Sequence, residues 1–295
     1  MRYYNFKAKM SKDYFHISSH GLETKDIFKT TSDFISGMND IAICVLGFDV
    51  SILCFCLMSN HFHFVLYGTQ VECERFAEEY KRRCAIRMRY GSGDVHAMKA
   101  VEVQLFLIDS QEYLENVIAY VLRNPLAAGI CMMPYHYRWS SMMEYFSGGR
   151  QCQGKCVNEM SERMRFRILK SRTSVPDHYV VDESGMIFPS CYVDVAAVEK
   201  IFRHPARLLV SIARKVEADI EIKFGISDTV CMNYNDIKSQ LPDLVRREFG
   251  KDSINQLSMD ERIKLCLHLK RNFRAGVKQI ARLTHLDPSL VSKVI

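Results

Sequence analysis

No CxxC pair occurs anywhere in this chain, although it carries eleven cysteines. Zinc ribbons and thioredoxin-like redox centres are built on such pairs, so both classes are excluded. Cys152 and Cys156 form a lone CxxxC with no second pair to complete a zinc site. An odd count does not make a complete disulfide framework. Cys54 and Cys56 fall on one face of an apolar run, where a thiol packs as a small hydrophobe. The expectation is a reducing, cytoplasmic compartment.

Long hydrophobic runs are missing as well. The opening stretch MRYYNFKAKMSKDYF lacks the apolar core of about 7–15 residues that a secretory signal needs. Ile41–Phe48 and Ile52–Met58, the longest apolar stretches, are separated by Asp49, and a bilayer span needs about 20 residues. We therefore expect a soluble protein with no membrane partner. There is no internal repeat, no low-complexity tract and no helicase-type phosphate loop.

What is present suits a folded chain of one large or two ordinary domains: 295 residues, 48% hydrophobic and 25% charged. A net charge of +6 leans towards a polyanionic partner. Tyr14–Ile17 reads as a first strand, and Asp26 to about Leu46 has helical apolar spacing. Ser51–Met58 and His61–Tyr67 read as a hairpin turning at Ser59-Asn60. A helix from Glu72 to Tyr90 and a strand at Val101–Ile108 follow. Asp109 or Ser110 then caps another helix, which Pro125 ends. This order predicts an α+β, ferredoxin-like sandwich with an antiparallel sheet over residues 1–147. A polar linker and small hairpin (His178–Pro189, turning at Glu183-Ser184-Gly185) occupy 148–193. A helical region spans 194–295, and its last segment, about 276–295, has the pattern of a helix-turn-helix or of a plain helical hairpin.

Chemistry concentrates in Met58-Ser-Asn-His61-Phe-His63. On a strand His61 and His63 share a face, and two such imidazoles can hold one divalent cation or can be hydrogen-bonded structural histidines. The second element is Tyr113-Leu-Glu-Asn-Val-Ile-Ala-Tyr120-Val-Leu-Arg-Asn124-Pro125. Tyr120 and Asn124 lie one turn apart, beside the apolar stripe that docks the helix. They could reach a metal held by the histidines, or be a core-flanking tyrosine and a helix-end amide.

Together, "MSNHFHFVLYG", "AYVLRNPLAAGI" and "YHYRWSSMMEYF" resemble the REP-associated tyrosine transposases of the HUH single-tyrosine superfamily, in order and spacing over roughly residues 1–148. That resemblance implies metal ligands at His61, His63 and Asn124, a nucleophile at Tyr120, and a divalent Mg²⁺ or Mn²⁺ cofactor. It implies cutting and rejoining of single-stranded or hairpin DNA through a 5′-phosphotyrosine, by a monomer or homodimer. The chain departs from these relatives at Gly91-Ser-Gly-Asp-Val-His96, which has no tryptophan and is short.

Lys81, Arg82, Arg83, Arg87 and Arg89, interleaved with Tyr80 and Tyr90, suit single-stranded DNA, with charge for phosphates and rings for bases. They equally suit a solvated cationic helix face, partly offset by neighbouring glutamates. Two other functions remain in play: a non-cutting DNA-binding regulator of the same fold, and a relaxase-like nickase. The Asn-Pro context of Tyr120 and the missing phosphate loop argue against the latter.

Overall fold

The computed structural model describes residues 11–20, 26–92, 98, 101–148, 153–213, 234–273, 275 and 277–294. Gly91-Ser92 closes a helix, and the rest of the shortened segment, 93–96, lies outside the described residues, as does Cys152. The chain is α+β, with a four-stranded antiparallel sheet and many helices. Its first part runs β1 (Asp13–His20), α1 (Thr31–Val45), β2 (Val50–Leu57), β3 (Phe62–Gly68), α2 (Gln70–Ser92), β4 (Glu102–Ile108) and α3 (Gln111–Ala127). The strands lie side by side in the order β2-β3-β1-β4, every neighbour antiparallel.

Local chemistry sets the element ends. α1 starts at Thr31 rather than Asp26 because Thr30 and Asp33 form a reciprocal capping box. Ile27 and Phe28, which extended the helical periodicity in the sequence, are buried outside the helix. Their N–H groups both donate to the Ser59 carbonyl, at 2.7 and 2.9 Å, tying this segment to the β2–β3 turn. Ser110 caps α3 by accepting from the Tyr113 N–H. Pro125 does not end that helix. Gly129, at φ +67°, does: its N–H donates to Leu126 O and that of Ile130 to Pro125 O, both at 2.9 Å, which is a Schellman closure. Pro125 gives up the N–H bond to the Val121 carbonyl, and the helix runs on for two residues beyond it.

Strand alternation divides the sheet into two chemically different faces. Phe62 and Phe64 point towards α2, where Tyr80 meets their rings at 4.9 and 5.0 Å and Phe76 meets Phe64 at 5.3 Å. α1 packs beside α2. The other face carries His16, Ser18, Cys56 and His63, aligned by the strand registers, and α3 covers it. Burial pushes the Cys54 and Cys56 thiols well above the ordinary range, and all nine described cysteines are free.

The YHYRWSSMMEYF stretch covers the outer edge of β2. Leu57 N–H donates to Trp139 O at 2.9 Å, Tyr137 donates to Leu57 O at 2.7 Å, and Tyr145 donates to Leu53 O at 2.5 Å. Ser141 takes the Phe55 N–H at 3.0 Å. Backbone and side-chain hydroxyl partners thus stand in for a neighbouring strand along this edge of the sheet.

Beyond the sheet lie β5 (Lys155–Cys156), α4 (Glu162–Leu169), β6 (Val180–Val181), α5 (Val195–Phe202), α6 (Pro205–Ala213), α7 (Tyr234–Phe249), α8 (Met259–Phe273), α9 (Val277–Thr284) and α10 (Pro288–Val294). The small hairpin closes at Asp182–Gly185 with a bridge from Val181 to Ile187, and β6 also pairs with β5. It docks on α1 through Asn39, whose amide donates to Gly185 O and accepts from Ile187 N–H, each at 2.8 Å. α6 packs on α3, where Arg207 pairs with Glu115 at 2.7 Å and Arg123 donates to Ile212 O at 2.8 Å. Among the described residues no helix is long and apolar enough to cross a membrane.

Candidate active site

The histidine pair and the tyrosine helix meet on the α3 face of the sheet. His61 stands just before β3, at the end of the Ser59-Asn60 turn, and its ring centre is 5.0 Å from that of His63. Tyr120 faces His63 edge-on at 5.6 Å. One turn on, Asn124 turns its Oδ1 towards His61 Nε2 at 3.4 Å while its Nδ2 donates to Tyr120 O at 3.0 Å. The sheet and α3 thus bring together His61, His63, Tyr120 and Asn124.

The chemical character of the His61–Asn124 contact follows from the tautomer of the imidazole. His61 Nδ1 lies 2.7 Å from Asn60 Oδ1, an acceptor, and a ring whose proton sits on Nδ1 donates it there. In a neutral ring that leaves Nε2 with its lone pair. The Asn124 amide has turned its donor inward, so its oxygen is what faces Nε2. Two lone-pair atoms 3.4 Å apart repel unless a proton or a cation lies between them. Ligands at right angles around one hard divalent ion, with bonds near 2.1 Å, sit about 3 Å apart, a spacing close to that of His61 Nε2 and Asn124 Oδ1. Among the described residues there is no group of three His, Cys, Asp or Glu that could hold a metal, so an ion at this place would need a ligand of another kind, such as the Asn124 amide.

His16 is the residue that sequence reasoning missed. It lies on β1 opposite Val65 and is fully buried. Its Nε2 is 3.3 Å from His63 Nδ1, the two rings stack at 5.4 Å, and Tyr120 meets it edge-on at 5.9 Å. One of the two nitrogens donates and the other accepts, which orients the His63 ring. The available signal was a histidine at an inward position between Phe15 and Ile17, but only the β1–β3 register puts it beside His63.

The basic residues of α2 do not join this site; α2 packs on the opposite face of the sheet. Arg82 chelates Glu79 at 2.6 and 2.7 Å. Arg83 bridges Glu79 and Asp40, both at 3.1 Å, and Arg87 binds Asp40 at 2.5 Å while its guanidinium lies 5.0 Å from the centre of the Phe28 ring. Lys81 and Arg89 are the members of the set outside this network among the described residues. Tyr80 is a core residue, 0% exposed, with its hydroxyl directed at Gly37 O, so it is no platform for a base.

No family model matches the chain, and no curated protein does. A solved structure, that of a REP-associated tyrosine transposase bound to a REP hairpin, is similar with 13% identity, a TM-score of 0.38, and coverage of 52% of this chain and 87% of that one.

Proposed function

We propose that this chain is a metal-dependent DNA strand transferase of the HUH single-tyrosine type, acting on single-stranded or hairpin DNA. The observation that carries the reading is the opposed pair His61 Nε2 and Asn124 Oδ1, with His63 and the Tyr120 ring beside it. The strand order β2-β3-β1-β4, with α1 and α2 on one face, supports a ferredoxin-like description of the sheet domain. His61, His63 and Asn124 would hold the ion, and Mn²⁺ suits two imidazoles better than Mg²⁺ does. When bound, such an ion withdraws charge from a scissile phosphate and steadies the departing 3′-oxygen. Tyr120 Oη attacks phosphorus, the new O–P bond replaces the P–O3′ bond, the phenolic proton leaves to solvent and the 3′-oxygen takes one up. One phosphodiester is exchanged for another, so rejoining needs no nucleotide cofactor. Lys81, Arg82 and Arg89 could contact phosphates of a strand that passes the other face.

A second reading, a DNA-binding regulator that does not cut, is favoured by burial: Tyr120 is 2% and Asn124 1% exposed. For cutting, the phenol must swing out or its cover must shift. Incubating the protein with a hairpin-DNA library and Mn²⁺ separates the two readings. A covalent adduct that is lost in EDTA and restored by Mn²⁺ is expected. Binding without any adduct would leave the regulator, and an adduct equally abundant in EDTA would remove the metal from the mechanism.

His16 would act through His63 as a positioning residue, since a partner that orients a ligating imidazole typically changes metal affinity about 10–100-fold. His16→Ala is expected to weaken Mn²⁺ binding by that factor in calorimetry, with His16→Gln recovering part of it through its amide. Unchanged affinity in a folded His16→Ala protein would limit His16 to packing.

A further inference from the structure

The chain's charge is unevenly spread. Residues 259–295 hold eight lysines and arginines against three aspartates and glutamates, a net +5 out of the chain's +6. This stretch folds as α8, α9 and α10, each packed on the other two. Ile280, Leu283 and Val291 are buried with Leu265 and Leu269 of α8. Thr284 locks the inner end of α9: its hydroxyl donates to Ile280 O at 2.7 Å, and its carbonyl accepts from Arg262 of α8 at 3.3 Å.

The connection between α9 and α10 is a tight, capped turn of three residues. His285 takes φ +56°, and Leu286 N–H returns to Ala281 O at 3.1 Å. Asp287 caps α10 by accepting from the Ser289 N–H at 2.8 Å and from the Ser289 hydroxyl, bonds that hold its carboxyl below the usual range. Pro288 fills the first helical position, where a missing N–H costs nothing. α10 is therefore held at a fixed angle to α9 with one side free. That side carries Ser292 and Lys293, both exposed, one turn beyond Ser289, whose hydroxyl is held by Asp287, and Arg282 is exposed on α9.

We propose that α8–α10 form a reader of double-stranded DNA, with α10 as the helix that enters the major groove. The groove is about 12 Å wide and admits one helix. The Ser292 hydroxyl can donate to or accept from base edges, and Lys293 supplies charge for a phosphate or a guanine. The surface does not suit a protein partner. None of the exposed large apolar side chains among the described residues belongs to α9 or α10, whereas a protein interface needs an apolar centre. The inference stands apart from the strand-transferase reading: it concerns duplex rather than single strands, and holds whether or not Tyr120 cuts.

The test uses the full chain and a random-sequence duplex pool. Repeated selection, followed by fluorescence anisotropy at several salt concentrations, is expected to yield a motif bound at least tenfold more tightly than its scrambled version. Ser292→Glu with Lys293→Glu should abolish that preference. Lys293→Ala alone should lower the slope of log affinity against log salt by about 1. These positions are exposed and outside the turn's hydrogen bonds, so thermal unfolding should not move, and hairpin-adduct formation should match wild type. Failure to enrich any motif, or variants that bind the selected duplex as wild type does, would overturn the proposal. A duplex preference in a protein that forms no adduct would leave this inference intact and remove only the strand-transferase reading.

Discussion

Tyr120→Phe is expected to eliminate the covalent protein–DNA product, a loss of at least about 10³-fold, while the protein still folds and binds hairpin DNA and Mn²⁺. Phenylalanine keeps the ring that meets His63 at 5.6 Å and His16 at 5.9 Å, so packing on the sheet survives. What goes is the oxygen proposed to attack phosphorus. Tyr113, on the same side of α3, is the natural decoy. It lies two turns earlier, about 10 Å along the axis at 1.5 Å per residue, too far to share a phosphate with an ion held by Asn124. Burial and the Asp109 carboxylate also push its phenol up, so it keeps its proton more firmly than an ordinary tyrosine. Tyr113→Phe should therefore form the adduct as wild type does. Peptide mapping of the trapped product by mass spectrometry decides the matter: a nucleotide on any residue other than Tyr120 overturns the assignment.

Asp40→Asn is expected to destabilise the fold by about 3–5 kcal/mol, a large share of what a domain of this kind has. The Asp40 carboxylate sits between Arg83 at 3.1 Å and Arg87 at 2.5 Å, with the three side chains 13%, 16% and 11% exposed. Burial pushes that carboxyl up from its ordinary value and the two guanidiniums pull it back. The amide keeps the shape but leaves two buried cations opposed by Glu79 alone. Replacing Asp40 and Arg87 together by leucine and methionine should cost much less, because Arg83 retains Glu79 and no charge is stranded. Urea unfolding measures both. If Asp40→Asn costs less than about 1 kcal/mol, the cluster is wetter than its burial implies. The consequence for DNA binding is practical: removing Arg83 or Arg87 acts first on stability, so lost affinity in such variants does not report lost phosphate contacts. Arg89→Ala and Lys81→Ala are the cleaner probes.

The resemblance in three short motifs picked out His61, His63, Tyr120 and Asn124, and the fold gathers these four on one face of the sheet. The element order was legible too, because apolar spacing changes from two to three-or-four residues between strands and helices. Boundaries were read less well. Ile27 and Phe28 extend the helical pattern of α1 without belonging to it, since buried apolar residues look alike in sequence whether a helix or a loop buries them. Pro125 looked like a stop, yet Gly129 is the terminator, because a proline in the last turn forfeits one bond while a left-handed glycine ends the ladder.

The sequence by itself determined which side chains could do chemistry and which face of each element is apolar, because both follow from residue type and local period. Only the tertiary structure decided which of them meet. His16 is 47 positions from His63 and becomes its partner through the β1–β3 register alone. The five basic residues of α2 lie close to the histidines in sequence, but alternation along β3 sends Phe62 and Phe64 to α2 and His63 to α3. Most of that charge then faces Asp40 and Glu79. The YHYRWSSMMEYF motif, which in the sequence carries part of the resemblance, covers the β2 edge. Strand pairing joins residues far apart in the chain, and no local pattern records which strand lies beside which.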